Sequence, residues 1–134
     1  MSDLLEHFEL ELVSRRLIRV KAKGDFGGDV VHELFDIIDK HVKGQPFWLF
    51  EADISELGHA DPSARRAAAE RIGQTPAYSL AIFGGALAQR AVALLFLKVA
   101  ELFSTKRDVS YTFAKDQRTA AQWLQAEEER RSKK

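Results

Sequence analysis

Apolar residues recur along this chain at two different spacings, and segments of the two kinds alternate. That alternation constrains the fold more than any single motif. Phe8, Leu10 and Leu12 point one way and Glu9 and Glu11 the other, the period of a half-buried strand. Ser14-Arg15-Arg16 reads as a turn. Ile18, Val20 and Ala22 then resume the alternation against Arg19, Lys21 and Lys23, so the chain opens with a hairpin. After Gly24 and the Gly27-Gly28 pair the spacing becomes helical. Val31, Leu34, Phe35, Ile38 and Val42 share one face, and Gly44 and Pro46 stop the helix.

Phe47-Trp48-Leu49-Phe50 reads as a strand buried on both sides. Asp61-Pro62 starts a second helix, because Asp accepts from free first-turn amides and Pro suits the first helical position. The alanine-rich stretch from Ala64 to Ile72 propagates it, and Gly73 ends it. Tyr78 to Phe83 is another buried strand, broken by Gly84-Gly85. A long helix runs to about Phe103, followed by a strand carrying Val109, Tyr111 and Phe113. Asp116 caps a last helix with Ala120, Ala121, Trp123 and Leu124.

The resulting order, β-β-α-β-α-β-α-β-α, predicts an α/β fold: a largely parallel sheet with an N-terminal hairpin, covered by helices. The 134 residues fit one domain, expected over residues 1–126. The charged stretch 127–134 is expected to be a solvated, frayed tail. A chain of this length can bury enough surface to fold without disulfide or metal.

Composition removes several function classes. Twenty basic and 20 acidic residues balance to zero formal charge, which provides no field to gather nucleic acid or an acidic membrane. With no cysteine, disulfides, thiolate chemistry and Cys-ligated zinc are excluded. The acidic first residues do not form a signal peptide. Arg90, Lys98 and Glu101 interrupt the most apolar window, so it reads as a core helix rather than a membrane span. A cytoplasmic protein is expected.

Neither G-x-G-x-x-G nor a phosphate-binding loop is present, and Gly84-Gly85 reads as a tight turn. His7, His32, His41 and His59 share no ligand spacing, so no metal or cofactor is expected. No nucleophile and base assemble, and the chain is expected not to be an enzyme.

The stretch Asp53-Ile54-Ser55-Glu56-Leu57-Gly58-His59-Ala60-Asp61-Pro62-Ser63-Ala64, read as a loop after the third strand, carries a family resemblance. Together with the element order it resembles the STAS family, named for sulfate transporters and antagonists of anti-sigma factors, and in particular its stand-alone bacterial members. Asp53, Ile54 and Leu57 fit the family's first Asp and apolar positions. Asp61 matches its second Asp, and Ser63 falls where the family's phosphorylated Ser or Thr stands. Pro62 replaces the usual small hydroxyl residue and Ala64 the usual Gly. The resemblance implies a regulatory, non-catalytic module docking on a partner such as an anti-sigma factor or kinase. Asp53, Ser55, His59, Asp61, Arg65 and Arg66 would make the contact, with Ser63 as phosphoacceptor. The residues alone allow a plainer reading, in which Asp61-Pro62-Ser63 starts a helix and Asp53 forms a turn.

Two further expectations come from the long helix and the core. At about 100° per residue, Ala91, Val92, Leu95, Phe96, Val99, Leu102 and Phe103 form one arc, the expected core face. Leu87, Leu94 and Leu97 fall outside it, either as ordinary exposed leucines or as a contact surface for a partner or a second copy. The alternative function is a carrier or sensor of a small apolar ligand. An apolar cavity between the long helix and the sheet would favour the carrier, and a filled core with an exposed loop the docking module.

Overall fold

The computed structural model describes residues 4–103 and 108–133, without the side chains of Ala60, Leu102 and Phe103. The expected core role of Leu102 and Phe103 lies outside that description, as does Lys134. The elements are α1 (Leu4–His7), β1 (Phe8–Leu12), β2 (Leu17–Phe26), α2 (Gly28–Val42), β3 (Phe47–Ala60), α3 (Pro62–Gly73), β4 (Ala77–Phe83), α4 (Leu87–Phe103), β5 (Val109–Ala114) and α5 (Gln117–Ser132).

The strands form one sheet in unreversed order, β1-β2-β3-β4-β5. β1 is antiparallel to β2, and every other pair is parallel. When parallel neighbours follow in chain order, crossovers of one hand put their helices on one face. Accordingly α2, α3 and α4 share a core with Ile18, Val20, Trp48, Phe50, Leu80 and Ile82. Alternate residues of the same strands, among them Phe47, Leu49, Ala81 and Phe83, turn to the other face and meet Ala120 and Leu124 of α5. Trp48 is wholly buried, and its ring N–H donates to Thr75 Oγ1 at 2.9 Å, so its one polar atom is satisfied.

Three expectations need correction. First, β3 does not end near Phe50 but continues for 14 residues, so most of the supposed loop is strand. β4 stops pairing with β3 at Phe83 opposite Asp53, while β2 continues beside β3 to Phe26 opposite Ala60. Lys21 faces Asp53 but Lys23 faces Glu56, so β3 carries an extra residue there. This irregularity, with charged residues on the solvent side, hides the strand from a pattern search.

Second, α5 runs through Ser132, and the expected tail is its last turns. The reason is a polar cluster between α5 and the sheet. Arg131, 7% exposed, donates to Ser79 Oγ (2.8 Å) and to the carbonyls of Tyr78 (2.7 Å) and Asp108 (2.9 Å). Glu127 accepts from the hydroxyls of Ser79 (2.8 Å) and Ser110.

Glu127 is held down from 4.5 to about 2, first by the Arg130 guanidinium, against partial burial, and then by the Ser110 and Ser79 hydroxyls. A carboxylate depressed in the folded state stabilises the fold above its unfolded pKa, and that contribution fades as pH falls through the folded value. Thermal melts between pH 5 and pH 2.5 should therefore show a loss on the order of 2–3 kcal/mol, at about 1.4 kcal/mol per pKa unit. Glu127→Gln should flatten that slope. An unchanged slope in the variant would assign the acid sensitivity elsewhere.

Third, the core face of α4 lies about 100° from the expected arc, one residue along the helix. Ala93, Leu97 and Ala100 are buried and Val92, Phe96 and Val99 pack beside them, while Leu95 is 53% exposed. Leu97, at 3% exposure, therefore belongs to the core and not to a contact surface; Leu94 (39%) and Leu87 (84%) remain exposed. The helix is apolar almost all round, so hydrophobicity alone sets no phase. α4 lies beside alanine-rich α3, and small residues such as Ala93 and Ala100 suit that close approach.

Candidate functional site

The helix-covered face of the sheet is not filled. Alanines stand where several elements meet: Ala22 and Ala52 on the sheet, Ala64 and Ala68 on α3, and Ala93 on α4. Their short side chains leave a cavity of about 140 Å³, closed further by aromatic rings including Phe8, Phe35, Phe50 and Phe96. Its wall is apolar except for Asp53 and Arg65, both half-buried. A dry apolar cavity of about 150 Å³ is large enough to take benzene.

Beside the cavity, two helix starts meet. Asp61 caps α3 as expected, its Oδ1 accepting from the Ala64 amide at 2.9 Å. The Ser63 hydroxyl donates to the same oxygen at 2.5 Å and accepts from the Gly28 amide at 3.1 Å. α2 has no side-chain cap from Gly27, so Ser63 caps it from another element. The approach is close: a Cβ at Gly28 would lie 3.0 Å from the Ser63 carbonyl oxygen. The Ser63 hydroxyl, the Ala64 amide and, more weakly, Arg65 hold the Asp61 carboxyl below its usual range.

The other expected contact residues are spread along β3 and α3. Asp53 Oδ1 accepts from the Ser55 amide at 2.9 Å, the turn-forming role that its residue type suggests. A Cβ at Gly84 would lie 2.9 Å from that oxygen, and Gly84 and Gly85 have φ of 77° and 76°. The glycine pair thus makes the tight turn foreseen and lets β4 pass into α4 against β3. The backbone amide of His59 donates to Asp25 Oδ1 at 2.6 Å, and Arg66 pairs with Glu70 at 3.1 Å. The structure thus groups Asp61, Ser63 and Arg65 at the start of α3, and Asp53 and Ser55 at the β3 irregularity. The cavity residues were missed as a site; the alanines of α3 and α4 were its only trace in the sequence. Among the described residues, no group of His, Asp and Glu could hold a metal ion. No described helix is long and apolar enough to cross a membrane.

No protein-family model matches the sequence, and no curated protein matches it either. A solved structure of similar shape is that of an uncharacterized protein from the DUF3478 family with a SpoIIAA-like fold, from Shewanella loihica PV-4. The two share 20% identity and a TM-score of 0.62, over 87% of this chain and 91% of that one. The likeness concerns architecture alone, and it agrees with the fold implied by the STAS resemblance: this chain has a SpoIIAA-like α/β fold.

Proposed function

We propose that this domain is a non-catalytic sensor or carrier that binds a small apolar ligand between its sheet and helices α2, α3 and α4. The cavity carries this reading: about 140 Å³ of apolar space, walled by side chains from the sheet and three helices. A core free to evolve would gain stability by filling it, since enlarging one alanine costs little in sequence and recovers packing. A bound ligand supplies the missing contacts and stabilises the domain by mass action. The expected result is saturable binding of toluene or a comparable aromatic probe, with a rise in melting temperature that follows ligand concentration. A melting temperature indifferent to every such probe would remove the reading.

A second reading is favoured by a separate observation. The Ser63 hydroxyl is exposed and joins the starts of α2 and α3, so a phosphate there would disrupt a tertiary contact. In this reading the α3 start docks on a partner protein, an anti-sigma factor or kinase by resemblance, and phosphorylation releases it. Ser63→Asp should then lose a partner that Ser63→Ala retains in paired pull-downs. Identical captured proteins from both variants would leave Ser63 as a helix cap.

A further inference from the structure

The two edge strands of the sheet are built differently. β1 carries Glu9 and Glu11 on one face, whereas β5, Val109–Ala114, carries no charge, no proline and no register irregularity. An edge strand leaves a row of backbone N–H and C=O groups unpaired. Charges, prolines and bulges are the usual means of keeping other chains from pairing with that row. Among the described residues β5 pairs with β4 alone. Its Val, Tyr, Thr and Phe favour extended structure, and its six residues are an ordinary strand length. α4 packs mainly on α3 and β3, and Tyr111 of β5 is left 41% exposed.

We propose that the β5 edge is a self-association surface, on which β5 of a second copy pairs antiparallel about a two-fold axis through Tyr111. Each five-stranded sheet then continues into the other. The choice of a second copy follows from which residues would meet. A two-fold axis normal to the sheet keeps its two faces apart, so a residue meets only residues of its own face. With Tyr111 opposite its own image, Val109 meets Phe113 and Ser110 meets Thr112, each pair occurring twice. Aromatic–aromatic and aromatic–β-branched pairs are favourable across strands, and no charge faces a charge over these five positions. The same operation on β1, with Leu10 on the axis, would set Glu9 against Glu11 of the other copy. Like charges directly opposite are destabilising. β5 is therefore compatible with its own image, and β1 is not.

The test uses the chain's lack of cysteine. Residues directly opposite in an antiparallel pair have Cα atoms about 4.5–5.5 Å apart, within the roughly 4.4–6.8 Å that a disulfide spans. Under mild oxidation of the folded protein, Tyr111→Cys should give a covalent dimer. Leu12→Cys, at an exposed position on β1, should stay unlinked and controls for random collision. A single strand pair is small beside the ~1,200 Å² of a standard interface, so wild type should show a concentration-dependent monomer–dimer equilibrium in sedimentation. Tyr111→Lys places like charges on the axis and should raise the dissociation constant about tenfold or more. Its melting temperature in dilute solution should be nearly unchanged, because Tyr111 is exposed in the monomer. A wild type that stays monomeric at the highest soluble concentration overturns the proposal. So does a dimer that survives Tyr111→Lys, or equal cross-linking of the two cysteine variants. Should Tyr111→Lys not fold, the wild-type sedimentation and the cysteine pair still decide.

Discussion

Arg131→Ala should destabilise the domain by about 3–5 kcal/mol, the range for removing one partner from a buried charged cluster. The truncation removes the donor to two carbonyls, those of Tyr78 and Asp108, and to the Ser79 hydroxyl. Desolvated acceptors without a donor cost more than the hydrogen bonds were worth. It also detaches the C-terminal turn of α5 from β4 and from the residue preceding β5. Melting temperature should fall by roughly 10–20 °C, and urea denaturation should give the same free-energy change. Arg131→Met, which restores apolar volume without the donors, should recover only a part. A loss below about 1 kcal/mol in Arg131→Ala would mean that this turn of α5 contributes little to the fold.

The second large effect is expected on binding rather than stability. Ala93 lines the cavity from α4 and is 7% exposed. Ala93→Leu adds a branched side chain directed at space already present, so melting temperature should hold or rise. Probe affinity should fall at least about tenfold, because the added carbons occupy the volume a ligand needs. Loss of both stability and binding would show overpacking, and Ala68→Val then offers a smaller filling from α3. Unchanged affinity in a well-folded Ala93→Leu protein would place the probe outside the cavity.

How much of this could be read from the sequence depended on the range of the interactions. The Asp61 and Asp116 caps and the hairpin rest on contacts near in the chain, and the Phe47–Phe50 and Tyr78–Phe83 strands, though paired with distant ones, are marked by unbroken apolar runs, so their residue types specify them. The end of α5 was misread because Arg131 and Glu127 look solvated until Ser79 is brought beside them, 52 and 48 residues away in the chain. The phase of α4 was misread because apolar residues, among them Ala, Val, Leu and Phe, occur nearly all round it. At the site, the capping role of Asp61 was legible, whereas the Ser63–Gly28 bond spans 35 residues and leaves no local mark. The cavity was the least legible feature. Alanine favours a helix wherever it stands, and nothing in the sequence says that alanines on separate elements will face one another.

The unreversed strand order also bears on how the domain assembles. Each strand from β2 onward pairs with the strand just before it in the chain, so the sheet can be extended one strand at a time as the polypeptide emerges. Every closure then costs the entropy of one short crossover rather than of a long excursion. α5 reaches back furthest among the described helices, packing on β3, β4 and β5 together. Until it docks, Phe47, Leu49 and Phe83 lie on a bare face of an otherwise complete sheet. α5, which follows all five strands in the chain, therefore closes that face, and a ribosome stalled before it would hold a chain whose exposed apolar face invites chaperones or aggregation.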